Sequence, residues 1–309
     1  MGEYSKAAVI KYTRKAVGMT QEELAEGICE PVTLSRYENG QLNPSDDKFV
    51  RLMQKMGESG ETCLFPLYCE DVRLQQEMEN MMKIIEEEDW NEVENLKEKM
   101  EKKFKISKEY PENCQYIKRI EIITRYRKGE ITVYKAIEEM KDALHETLRD
   151  IEPEKFPVGK ILREMEILVI YNLASYYAEA GNTLKALAIY ERLDEYFSRK
   201  DMINDYKPRY IIYVGYSNFL GLNGRHDDSI AICKGEIEWL RNRGKTNYLY
   251  NFYFNIGWNI CEKIKKGLEK KERIQEAKCY VWTAYQLCSL YPENKKNLKV
   301  IRDYYNQMN

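Results

Sequence analysis

The chain has 309 residues, a length that fits about two domains of ordinary size. Apolar residues make up 43% and charged residues 32%, enough to build a sizeable core, which excludes a disordered chain. Its 49 Lys and Arg against 51 Asp and Glu leave a formal charge of −2, so it does not hold polyanions by bulk positive charge, although a local patch is compatible with that balance.

No apolar run approaches the roughly eighteen residues of a membrane span, so no transmembrane helix is expected. The start, MGEYSKAAVIKYTRK, has no apolar signal core, and a cytoplasmic location is expected. The eight cysteines form no CxxC pair and the two histidines, His145 and His226, are far apart, so neither a metal site nor a disulfide framework is expected. With only 8 prolines, and apolar residues recurring at i, i+3, i+4 and i+7, the chain reads as all-α.

A first helix is predicted over about Lys6–Val17, carrying Lys6, Lys11, Arg14 and Lys15 and ended by Gly18. Thr20-Gln21-Glu22-Glu23 is a capping box that starts a second helix running on through Leu24, Ala25 and Ile28. A turn is expected at Cys29-Glu30. Pro31 suits the first position of a third helix, where its missing N–H has no intrahelical partner. That helix, Val32-Thr33-Leu34-Ser35-Arg36-Tyr37-Glu38, stops at Asn39-Gly40. After the break at Asn43-Pro44-Ser45, a fourth helix carries Phe49, Leu52, Met53 and Met56 on its apolar face.

Two short helices across a tight turn, the second polar on its outer face, fit the DNA major groove. The stretch GMTQEELAEGICEPVTLSRYENGQLNP resembles the XRE/Cro-type helix-turn-helix over about 55 residues, with a turn about one residue shorter than the commonest form. The resemblance implies that Gln21 touches a phosphate at the start of helix two and that Val32, Thr33 and Arg36 meet base edges. Arg36 suits guanine O6 and N7, and Ser35 and Asn39 complete the DNA-contacting set. It also implies a partly buried ion pair between Arg14 and Glu38. Leu24, Ala25, Leu34 and Tyr37 read as core. Residues 1–60 hold eight Lys and Arg against nine acids, so by charge alone a protein-interaction domain would look the same.

A boundary is placed near residues 57–70, giving a DNA-binding domain over 1–60, a linker over 61–72 and a helical-repeat domain over 73–309. Ile170-x2-Leu173-Ala174-x2-Tyr177, Gly181 and Ala186-x3-Tyr190 resemble the tetratricopeptide (TPR) pattern, in which small residues let two antiparallel helices approach. Weaker copies run from Tyr213 to Cys233 and from Tyr253 to Val281, with a fainter one at Ile117–Gly129. The 43 residues from Leu173 to Tyr216 exceed the usual repeat of about 34, so either the helices of a TPR-like array are longer or the array is a more general α-solenoid.

In a TPR the first helix of each hairpin lines a concave groove. At that spacing Tyr171, Asn172, Asn218, Asn251, Asn255 and Trp258 line it, and Arg119 or Lys118 faces a terminal carboxylate. An Asn amide both donates to and accepts from an extended peptide unit. Helix capping or plain solvation is the alternative for each asparagine taken singly.

No phosphate-binding loop, HExxH or GxSxG is present, so no catalytic residues, cofactor or enzyme activity are expected. A helix-turn-helix followed by a TPR-like array of this length resembles the Rgg/PlcR/PrgX (RRNPP) peptide-responsive transcription regulators. The resemblance implies a cytoplasmic homodimer that binds a double-stranded DNA operator and senses a short signalling peptide, as in quorum sensing. The alternative is a constitutive repressor or adaptor whose array binds a protein partner or only mediates dimerisation.

Overall fold

The computed structural model describes residues 6–57, 73–106, 108, 110–159, 162–198, 207–246, 248–291 and 294–308. The expected linker, 61–72, lies outside the described residues. The chain divides into two compact units, Met1–Tyr206 and Lys207–Asn309. The described residues are helices and their connections, with no strand among them, as the all-α expectation requires.

Four short helices open the first unit: α1 (Lys6–Ala16), α2 (Gln21–Ala25), α3 (Pro31–Glu38) and α4 (Asp46–Lys55). Val9, Ile10, Leu24, Ala25, Leu34, Tyr37, Phe49, Leu52, Met53 and Met56 form their common core. Each fully buried large side chain contributes about 1.5–3 kcal/mol, which is what holds helices of five to eleven residues in place. Thr20 caps α2 as expected: its hydroxyl accepts from the Glu23 amide at 3.1 Å and its own amide donates to the Glu23 carboxylate at 2.7 Å. Pro31 is the first residue of α3.

One boundary differs from the sequence reading. α2 ends at Ala25 and does not reach Ile28. Gly27 takes φ 75, a left-handed conformation that closes the helix early. The Ile28 and Cys29 amides both donate to Ala25 O at 2.9 Å, so the turn spans residues 26–29.

Paired helices follow within the same unit: α5 (Arg73–Glu87) with α6 (Trp90–Phe104), α7 (Pro111–Arg127) with α8 (Val133–His145), and α9 (Glu164–Glu179) with α10 (Thr183–Phe197). A cluster running through Leu74, Met81, Val93, Leu96, Met100, Tyr116, Ile117, Ile120 and Leu168 ties α5, α6, α7 and α9 together, with Trp90 packed against it. Ala174, Ala186, Tyr177 and Tyr190 are all buried, as the TPR pattern predicts for these positions. Gly181, at φ 78, lets the chain turn between α9 and α10 while the Asn182 amide bonds back to Tyr177 O at 2.8 Å.

The second unit holds α11 (Lys207–Leu222), α12 (His226–Arg241), α13 (Leu249–Lys265), α14 (Ile274–Ser289) and α15 (Lys295–Gln307). Here two glycines permit close helix approach. A Cβ on Gly257 would lie 2.6 Å from Val281 Cγ2 and 2.9 Å from Ala277 O, and one on Gly221 would lie 2.7 Å from Asn259 Oδ1. The architecture is an N-terminal helix-turn-helix bundle followed by TPR-like helical hairpins.

Candidate functional site

α3 divides cleanly by exposure. Leu34, Tyr37 and Glu38 face inward, while Val32 is 65% exposed and Arg36 and Asn39 are exposed with it. Thr33 and Ser35 are half-buried. The packing of Leu34 and Tyr37 therefore sets the rotation of α3 and turns Val32 and Arg36 outward.

Glu38, 5% exposed, is the acceptor around which the first three helices meet. Arg14 donates to it from Nε at 2.6 Å and Nη2 at 3.0 Å, and gives Nη1 to Met19 O at 2.7 Å. Those bonds to Glu38 push the Arg14 guanidinium up. The pair implied by the XRE resemblance is thus present. Gln21, half-buried, is its third member: Nε2 donates to Glu38 Oε2 at 2.7 Å. Sequence reasoning missed this contact, whose partners stand 17 residues apart on different helices.

In the array of the first unit, Arg119 is 3% exposed on α7. Its Nε donates to Asn172 Oδ1 at 2.8 Å, its Nη1 has no partner, and it forms no ion pair among the described residues. Burial pushes this guanidinium down and pushes the Tyr116 and Tyr176 phenols up. The hydroxyls of both tyrosines, and Gln115 Oε1, are likewise buried without a partner. Lys118, the other expected carboxylate partner, pairs with Glu146. Tyr171 is half-buried, its ring edge-on to Tyr190 with centroids 6.4 Å apart.

In the second unit Asn218 is exposed, and Asn251 and Trp258 are half-buried. Asn255 departs from the expected groove position. It is 7% exposed, and its Nδ2 donates to Ser217 Oγ at 2.8 Å, because the tight packing of α11 on α13 draws that face inward. It belongs to a polar network that the sequence did not reveal. Asn259 Nδ2 donates to Ser229 Oγ at 2.9 Å and to Asn255 O at 2.7 Å, and Ser229 Oγ donates to Ser217 O at 2.8 Å. With its nitrogen donating, Asn259 offers Oδ1 to His226 Nδ1 at 2.8 Å, so His226 carries its proton on Nδ1. Nε2 is then the acceptor for Lys266 Nζ at 3.2 Å. Serines at two tightly packed positions and asparagines spaced i, i+4 on α13 were the available signal.

Cys233, Cys261 and Cys288 are buried, Cys29 and Cys114 half-buried and Cys279 exposed, all as free thiols. Among the described residues no group of His, Cys, Asp and Glu is arranged to hold a metal, and no helix is long and apolar enough to cross a membrane.

Residues 10–62 match the Helix-turn-helix family. No curated protein matches the chain. Among solved structures it is similar to Bacillus thuringiensis PlcR in complex with the peptide PapR7 and DNA. That match has 19% identity, covers 98% of both chains and has a TM-score of 0.59. Apo PlcR from the same organism matches at 16% identity, covering 95% of this chain and 98% of that one, with a TM-score of 0.58. ComR from S. thermophilus, in complex with DNA and its signalling peptide ComS, matches at 15% identity, covering 98% and 99%, with a TM-score of 0.53. At such identities the likeness establishes the fold. Residues 10–62 therefore form a helix-turn-helix domain, and the full length shares the fold of PlcR and ComR.

Proposed function

We propose that this chain is a cytoplasmic, homodimeric, sequence-specific transcription regulator whose TPR-like array senses a short signalling peptide. The observation that carries the DNA half is the partition of α3, with Leu34 and Tyr37 buried and Val32 and Arg36 presented outward. In this reading Val32, Thr33, Ser35 and Arg36 meet base edges and Asn39 meets the backbone. Gln21, at the start of α2 and bonded to Glu38, meets a phosphate. Two protomers would read half-sites about one helical turn apart, roughly 34–36 Å.

The peptide half is supported by the shared fold and by Arg119. A buried cation without an anionic partner is costly, so a peptide carboxylate reaching Nη1 would be favoured there over water. Tyr171, Asn218, Asn251 and Trp258 offer partly exposed amides and rings on the first helices of their hairpins. The peptide must bind one arrangement of the protein better than another, and a full switch needs about 5.5 kcal/mol of preference.

A second reading is favoured by Asn172 and Asn255, whose amides are already engaged by Arg119 and Ser217. On that reading the array binds a protein partner or only mediates dimerisation, and the chain is a constitutive repressor or adaptor. Calorimetry of the full chain with a library of short apolar peptides separates the two. Heat from a subset of peptides, lost in Arg119→Met, supports peptide sensing. Silence with every peptide, alongside intact DNA binding, supports the second reading.

A further inference from the structure

Just past the end of α2, the Glu26 and Gly27 carbonyls lie in the turn, where the chain swings through Gly27 toward α3. Both carbonyls are taken from α4. Arg51 Nη2 donates to Gly27 O at 2.9 Å, and Lys55 Nζ donates to Glu26 O at 2.7 Å, with the Glu26 carboxylate 3.9 Å from the same ammonium. A cation at a helix C-terminus both caps orphan carbonyls and meets the negative end of the helix dipole. α2 has only five residues, and within the turn Ala25 O alone accepts from Ile28 and Cys29. Ile28 and Cys29 pack against the bundle core, and the two exposed bonds from α4 add polar ties to that packing where the chain leaves α2.

We infer that Arg51 and Lys55 are positioning residues for α3. They brace the turn between α2 and α3 and so set the angle of the reading helix, and their charge is committed to backbone carbonyls rather than to DNA phosphates. By sequence alone they are two of the eight cations of residues 1–60 and indistinguishable from phosphate contacts. The inference deepens the DNA-binding reading and rests on it.

The test compares the full chain with Arg51→Met, Lys55→Met and the double variant, which keep an apolar stem and lose the donors. Arg51→Lys and Lys55→Arg serve as rescue. Two probes are used: a duplex enriched by the wild-type chain from a random pool, and a shuffled duplex of the same composition. A brace gives three results. The preference for the enriched duplex narrows about tenfold in the double variant, the slope of log K against log salt stays unchanged, and the Ile28 and Cys29 amides exchange faster. The rescue variants restore all three. Phosphate contact gives the opposite pattern, and overturns the inference: the slope falls by about 0.9 per cation removed while both duplexes weaken alike. Unchanged amide exchange overturns it as well. Should the double variant lose its helical circular dichroism, the single variants decide by the same measurements. Failure of the wild-type chain to bind any duplex would instead defeat the DNA reading, and the exchange rates would still report on the brace.

Discussion

Arg14 and Glu38 meet at two points, Nε to Oε1 at 2.6 Å and Nη2 to Oε2 at 3.0 Å, with the Glu38 side chain almost wholly out of water. The pair joins α1 to the last residue of α3, and Gln21 adds α2 to the same carboxylate. Glu38→Ala leaves a mostly buried guanidinium without its anion, and the expected cost is about 3–5 kcal/mol. The lowest-urea transition of the full chain measures it. A shift below about 1 kcal/mol would mean that the pair behaves as an exposed one.

Arg36→Ala removes an exposed guanidinium from a helix whose packing is otherwise untouched. The expected result is a loss of about 1–3 kcal/mol confined to one base position per half-site. Binding to a panel of single-base variants of the enriched duplex reads this out. Uniform weakening across the panel would place Arg36 on the backbone.

Two helical glycines should respond with opposite signs. At Gly257 a methyl group would sit 2.6 Å from Val281 Cγ2 and 2.9 Å from Ala277 O, so Gly257→Ala forces α13 and α14 apart and costs about 1–3 kcal/mol. At Gly235, inside α12, a Cβ meets nothing within 4 Å. Gly235→Ala should stabilise by about 0.4–1 kcal/mol through helix propensity and a less free unfolded chain. Paired thermal melts check both, and equal shifts would show that neither site is packed as described.

Buried phenols give the protein an alkaline limit. Burial raises Tyr116, Tyr176, Tyr190 and Tyr304 above the ordinary phenol value. A group whose folded pKa is raised favours the folded state below its unfolded pKa. That contribution fades once pH climbs past about 10, where the unfolded chain releases its phenolic protons and the folded chain retains them. Stability should therefore fall with rising pH above about 10, and phenolate absorbance should show a late, cooperative phase that coincides with unfolding. Complete ionisation of all tyrosines while the helical signal persists would contradict these burials.

Much of the fold was legible because its signals are local. The Thr20–Glu23 capping box, Pro31 at the start of α3 and glycines such as Gly18 and Gly181 act within a few residues of themselves. Alanine-beside-tyrosine spacing around Ala174 and Tyr177 announced the hairpins for the same reason. Ile28 misled because its apolar character continues the α2 pattern, while the backbone freedom of Gly27 had already ended the helix.

Polar and charged side chains of the candidate sites were legible by type and not by partner. Asn172 and Asn255 share a repeat position, yet one accepts from Arg119, 53 residues away, and the other donates to Ser217, 38 residues away. Period and propensity are properties of neighbours along the chain, so the sequence by itself determined the helices, their caps, the helix-turn-helix and the hairpin repeat. Which partner on another helix Gln21, Arg51, Lys55 or Asn255 bonds to was decided only by the tertiary structure. A hydrogen bond depends on distance and angle between helices, which no spacing along the chain encodes.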